Sequence, residues 1–202
     1  MAITDYTKAI ESEPKNAYAY YNRAISHDKK GDIEKTINDF TSAITLHPNK
    51  IDFYLNRAYA LRKLKDYENA IVDYTKVIEL DDLNFKGFYN RGLCYEKLNN
   101  FEEAEIDLNK AYNLDNSHLN SLHHLANVRD KLDKIDLAIS DHIKVISIDP
   151  LHAASYHSLG LIFDKLCKYD EAIKYFDKAI ELDQENSIYW HNRGCSYRNI
   201  GK

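Results

Sequence analysis

The chain has little that would break it or cross-link it. Its 202 residues include three prolines and six glycines, too few to interrupt long helices. The three cysteines, Cys94, Cys167 and Cys195, form no CxxC pair. Such an odd, sparse count excludes a disulfide framework and points to reduced thiols in a reducing, cytoplasmic setting. The absence of any Asn-x-Ser/Thr acceptor agrees with that setting. No apolar run approaches the ~18 residues of a membrane-spanning helix. The N-terminal MAITDYTKAIESEP lacks the layout of a signal peptide. Net charge is −5, without the basic excess that nucleic acid asks for.

Catalytic phrases are missing too. There is no GxGxxG, GxSxG or HExxH, and GCSYRNIGK, Gly194 to Lys202, has too many residues between its glycines for a phosphate loop. No nucleophile with a converging base is evident. Neither an enzyme nor a cofactor is expected. No metal site is expected either, because His123 and His124 are adjacent on one helix and point about 100° apart.

What the chain does have is repetition. Hydrophobic residues make up 44% and charged residues 29%, the balance of a folded, soluble protein. The phrase YYNRA at Tyr20–Ala24 returns as YLNRA at Tyr54–Ala58, FYNRG at Phe88–Gly92 and WHNRG at Trp190–Gly194. The phrase keeps one 34-residue step or its multiple, with no insertion or deletion. A small residue closes the phrase in every register: Ala24, Ala58, Gly92, Ala126, Gly160 and Gly194. A second small column runs Ala2, Thr36, Ala70, Ala104, Ala138, Ala172, and all three prolines share one column.

Within each repeat the apolar residues fall at i, i+3, i+4 and i+7, the helix period. Two amphipathic helices of about 14 residues are predicted, with a break near Lys65–Asp66 or its equivalent, Gly31–Asp32. The proline column ends the second helix. Small residues let paired helices approach to the short end of the ~8–10 Å packing range. One such hairpin cannot bury its apolar face alone, so neighbours must stack.

These columns resemble the tetratricopeptide repeat family. The resemblance covers the whole chain, 1–202, as a single array. Full repeats would span 17–50, 51–84, 85–118, 119–152 and 153–186. A half repeat, a second helix, would occupy 1–16, and another, a first helix, 187–202. Beginning and ending inside a repeat suggests a piece of a longer protein. The resemblance implies an all-α, right-handed superhelical solenoid of antiparallel helix pairs. Its first helices would line a concave groove that holds an extended peptide or partner segment, so a protein-binding scaffold is expected. The alternative is a regulatory or substrate-docking segment of a longer multidomain enzyme.

Asparagine at Asn22, Asn56, Asn90 and Asn192 would face that groove. Its donor and acceptor match those of a peptide bond, and members of the family hold peptide backbone with an asparagine ladder. The other reading is that these residues bridge helices and touch no partner. The adjoining column runs Tyr21, Leu55, Tyr89, then His123, His157, His191. Its first half offers apolar contact. Its second half, with His124 and Asn127, offers a polar face, either a solvated imidazole row or a pH-tuned recognition of acid. A lysine row, with Lys86, adds a weak preference for a segment with some negative charge. Arg23, Arg57, Arg91 and Arg193 read as structural, with heads reaching carboxylates on the next repeat. The family's clamp for chaperone C-terminal tails is matched by Asn56 and Lys86. Tyr21, Ile25 and Asn90 stand where Lys, Asn and Arg would be needed, so such a tail is not expected. Dimerisation through uncapped ends stays open.

The register from 119 to 152 departs most. His142 replaces an aromatic, and Arg129 replaces a large apolar residue, as His27 does in the first repeat. Polar groups in core columns demand internal partners, so this repeat is expected to be the least stable of the internal ones.

Overall fold

Residues 1–201 are described by the computed structural model. Among them are twelve α-helices and no strand. The fold is an all-α solenoid. The helices are α1 (Ala2–Ser12), α2 (Ala17–Asp28), α3 (Ile33–Leu46), α4 (Ile51–Lys63), α5 (Tyr67–Leu80), α6 (Phe85–Lys97) and α7 (Phe101–Leu114), then α8 (Leu119–Lys131), α9 (Ile135–Ile148), α10 (Ala153–Lys165), α11 (Tyr169–Leu182) and α12 (Ser187–Asn199). They fall into two compact units, Met1–Leu114 and a second that begins at Asp115.

Several helices open at an Asn or Asp cap. Asn16, Asp32, Asp66, Asn84 and Asn186 accept a backbone N–H from the first turn of the helix that follows. The break between paired helices has a strict geometry of its own. Gly31, Lys65, Asn99, Asp133, Cys167 and Gly201 are all left-handed, with φ between 59° and 80°, and one such residue recurs at the same place in each repeat. Around each internal one the backbone closes a helix-terminating bond, such as Asp66 N–H to Leu61 O at 3.0 Å and Lys134 N–H to Arg129 O at 2.8 Å. Lys65 and Cys167 carry side chains that disfavour the conformation, and Asn99 and Asp133 ones that tolerate it. The turn is therefore imposed by the packing of the two helices, not by glycine.

The packing rests on the small columns. Ala24, Ala58, Ala70, Ala104, Ala126, Ala138 and Ala172 are fully buried. A methyl group added at Gly160 would lie 2.5 Å from the ring of Phe176. At Gly92 it would lie 2.9 Å from Leu108. Large residues fill the space beside these contacts: Tyr74, Phe53, Leu108, Leu122 and Phe176 show almost no surface.

In the first unit an arginine pins each crossing, and its direction differs from the sequence-based expectation. Arg57 Nε and Nη2 donate to the two oxygens of Asp73, at 2.8 and 2.6 Å, within the same repeat. Its Nη1 donates to Thr41 Oγ1 of the preceding repeat at 3.0 Å. Arg23 holds Asp39 and Thr7 in the same way, and Arg91 holds Asp107 and Thr75. The carboxylate thus lies in the arginine's own repeat, and the neighbouring repeat contributes a hydroxyl. A fork needs two coplanar acceptors, and the aspartate on the paired helix supplies both.

The second unit solves the same position otherwise. Leu159 and Tyr175 replace the pair together, and Tyr175 stacks on Phe163 at 5.2 Å. In the 119–152 repeat Leu125 stands in the arginine column, and Asp141 is held by Arg129 instead. The polar departure at Arg129 therefore has an internal partner. His27, in the same column, likewise lies 4.0 Å from Asp39.

Asp73 is almost fully buried, so removing its partner leaves an uncompensated charge. Arg57→Leu is expected to lower stability by about 3 kcal/mol in urea unfolding. The double variant Arg57→Leu, Asp73→Tyr, which copies the 153–186 repeat, is expected to recover most of that loss.

Candidate functional site

On the first unit, the exposed face of the first helices carries the predicted residues. Tyr21, Asn22, Leu55, Asn56, Tyr89 and Asn90 are half-buried and Lys86 is exposed. Tyr21 packs against Phe53 at 4.9 Å and leans on Phe40 at 5.6 Å. Asn56 Nδ2 donates to the backbone carbonyl of Asp52 at 2.7 Å and to Tyr21 Oη at 3.2 Å. Asn90 Nδ2 donates to the carbonyl of Lys86 at 2.8 Å, and its Oδ1 accepts from Arg62. Among the described residues the Asn22 amide and Asn56 Oδ1 make no hydrogen bond. The column therefore bridges helices and still presents free polar atoms outward.

A cleft of about 290 Å³ opens between α4 and α6, lined by Asp52, Leu55, Asp81, Leu83, Phe85 and Lys86 among others. Two larger clefts, about 410 and 380 Å³, lie on the side of the second helices around Val72. Their main polar groups, Arg57 and Asp73, are already spent on each other. The lysine row is partly spent as well. Lys63 Nζ reaches back to both oxygens of Asp28, at 2.7 and 2.9 Å.

The second unit's predicted residues form a connected polar network. Ser158 Oγ donates to Asn127 Oδ1 at 3.0 Å, which orients the amide so that Nδ2 donates to His123 Nε2 at 3.1 Å. His123 Nδ1 must then carry its proton, and it donates to Ser155 Oγ at 2.9 Å. Ser155 in turn donates to His142 Nδ1 at 3.4 Å. That leaves His142 Nε2–H buried with no partner. The rings of His124, His142 and His152 lie 5.0–5.4 Å from that of His123. His157 rests on Tyr189 and Phe176, as Tyr21 rests on Phe53 and Phe40, and Asn192 Nδ2 donates to its Nε2 at 2.8 Å.

His142 is buried and His123 and His157 are half-buried, whereas His191 is exposed. Burial, then the neighbouring imidazoles of His142, His124, His152 and His157, hold His123 down to about 2. Burial, then His152, holds His142 at about 3. His157 is lowered by burial alone. At neutral pH His123, His142 and His157 are uncharged, and these three rings give an acidic segment no Coulombic attraction. Among the described residues, no three His, Cys, Asp or Glu side chains converge as a metal would need.

Three models of the tetratricopeptide repeat match the chain, at 51–82 and 153–186, at 85–118 and at 5–38, and together they cover more than half of it. The chain belongs to the tetratricopeptide repeat (TPR) family. Solved structures share its fold. The MamA protein is 25% identical over 86% of this chain and 94% of its own, with a TM-score of 0.77. YrrB, a TPR protein with an unusual peptide-binding site, is 22% identical over 94% and 97%, also at 0.77. A TPR protein from Parabacteroides merdae ATCC 43184 is 18% identical over 92% and 74%, at 0.83. No curated protein matches significantly. TPR proteins generally mediate contacts between proteins and are generally not enzymes. No helix of the described residues is long and apolar enough to cross a membrane.

Two features of this TPR chain escaped the sequence reading. The left-handed column was read only as a helix break, although Gly31, Asn99, Asp133 and Gly201 are of the residue types that favour that conformation. The arginine's aspartate could have been found, because Arg23, Arg57 and Arg91 each have an aspartate at one fixed offset, Asp39, Asp73 and Asp107, and the pair is lost together at Leu159 and Tyr175.

The imidazole cluster makes the second unit acid-sensitive. His123 and His142 stay neutral when folded and protonate near 6.5 when unfolded, so the unfolded state binds more protons below that value. Their contribution is complete above about pH 6.5 and is lost as pH falls toward about 3. Hydrogen exchange at α8 to α10 is expected to accelerate between neutral pH and pH 5, after correction for intrinsic rates. His142→Leu removes the orphaned N–H and should raise stability by about 1–3 kcal/mol at neutral pH while flattening this dependence. A less stable His142→Leu protein would contradict the assignment.

Proposed function

We propose that the chain is a non-catalytic scaffold that binds an extended segment of another protein along the first helices α2, α4 and α6. The cleft between α4 and α6 carries this reading. It places apolar surface from Leu55, Leu83 and Phe85 beside Lys86, and Lys86 has no ion pair among the described residues. Asp52 and Asp81 share the cleft with Lys86, so it takes an apolar side chain of the segment, and Lys86 donates to a neighbouring backbone carbonyl. Asn22 and Asn56 Oδ1 supply uncommitted groups for its backbone. YrrB, which shares the fold, is a TPR protein with a peptide-binding site.

In the second unit, taken by itself, His123 and His157 would offer a partner segment neutral imidazole donors and acceptors, beside His124, Asn127 and Asn192. The buried thiol of Cys94 gives catalysis no support, since burial pushes it up to about 11 and keeps it protonated.

Each backbone hydrogen bond contributes roughly 0.5–1.5 kcal/mol. The triple variant Asn22→Ala, Asn56→Ala, Asn90→Ala should therefore weaken capture of a partner from source lysate by about tenfold or more. Circular dichroism should show both proteins equally helical. Undiminished capture by the folded variant would place the partner elsewhere.

A further inference from the structure

Successive first helices can be bridged near their C-terminal ends by a lysine and an acid. Lys63 Nζ of α4 holds both oxygens of Asp28 on α2, at 2.7 and 2.9 Å. In the second unit Lys165 of α10 holds Asp130 of α8 at 3.2 Å. Between α4 and α6 the lysine keeps its column as Lys97, but the acid's column carries Arg62. Two cations thus occupy the places of an ion pair. Lys97 is exposed and makes no ion pair among the described residues.

Arg62 is half-buried and holds no carboxylate among the described residues. The other half-buried arginines, Arg23, Arg57, Arg91, Arg129 and Arg193, each hold one. Arg62 Nη1 donates to Asn90 Oδ1, and its charge acts on the hydroxyls of Tyr74 and Tyr89 and the thiol of Cys94. Burial holds Tyr74 up at about 12 and Cys94 at about 11, so neither supplies a negative charge at neutral pH. Among the buried side-chain polar atoms described, only His142 Nε2 lacks a partner, so any Arg62 nitrogen without a bond is open to solvent. Asn90 ties this guanidinium to the cleft of the proposed binding face. Its Nδ2 donates to the carbonyl of Lys86, which lines the cleft beside Leu55 and Phe85. Lys86 and Asn90 lie one helical turn apart, about 5–6 Å. An extended segment covers that distance in about two residues, whose side chains share one face.

Resting on the binding reading above, we infer that Arg62 and Lys97 receive one acidic side chain of the bound segment, about two residues from the apolar side chain in the cleft. The carboxylate takes the place that Asp28 has against Lys63. Arg62 donates to it from the nitrogens not spent on Asn90. Asp52 and Asp81 beside Lys86 disfavour an acid in the cleft itself, so the acid belongs at Arg62.

A library of short random peptides, displayed on phage and panned on the intact chain, tests this. Peptides selected by wild type are expected to carry Asp or Glu about two residues from an apolar residue. Arg62→Gln should bind them about tenfold or more weakly. Lys97→Gln, an exposed change that leaves the fold intact, should weaken them in the same direction. Arg62→Asp, which restores the bridge to Lys97, should lose the acidic preference altogether. Selected peptides without an acid, or acidic peptides that either glutamine variant binds as tightly as wild type, would overturn the assignment and leave the binding face standing. Peptides that the triple asparagine variant binds undiminished, or no bound peptide at all, would overturn the binding face and the assignment with it.

Discussion

Paired helices in both units approach to a distance that only a residue with almost no side chain allows. Alanine or glycine stands at the crossing in the first helix, and alanine or threonine meets it in the second, with Ala58, Ala70, Ala126 and Ala138 fully shielded. Close approach then determines what else must be there. The ring at Tyr74 or Phe176 has to fill the adjoining hole, and the two helices must be joined by a turn that passes through left-handed backbone. Lys65, Asn99, Asp133 and Cys167 accept that conformation because the burial on either side outweighs its local cost of about 1–2 kcal/mol.

The edges of each crossing can be closed by more than one chemistry. The Arg–Asp–Thr interlock of the first unit, the Arg129–Asp141 pair and the Leu159–Tyr175 pair occupy equivalent places. The buried carboxylate is the common problem, and each solution either satisfies it or removes it. A repeat can thus exchange its polar edge for an apolar one without altering its length. The histidine cluster is a costlier exchange. The ring nitrogens of His123 and His142 are all bonded except His142 Nε2, and both rings stay neutral.

Periodicity made the helix pairs legible, because the spacing of small and aromatic residues is itself the packing geometry. The breaks near Gly31–Asp32 and Lys65–Asp66 were readable from a cap residue following a helix end. The candidate site was legible only as a set of columns. Column position says which residues share a face, but not whether Asn56 spends its donors on Asp52 and Tyr21, or whether His123 meets solvent or Ser155. Those outcomes depend on contacts made across repeats, 31 to 35 residues apart, where one substitution such as His142 reorganises its neighbours. The imidazole row reads as polar in sequence, yet His123 and His157 pack as aromatic rings in structure while His191 stays exposed.

The proposed binding face lies on the first helices, and the aspartates of α3 and α5 are already committed to the interlock. The most direct measurement is hydrogen exchange of the chain with and without a captured partner. Protection gained on α2, α4 and α6, centred on Leu55, Asn56 and Lys86, is the predicted result. Protection confined to α3 and α5 around Val72, with α4 and α6 unchanged, would contradict it.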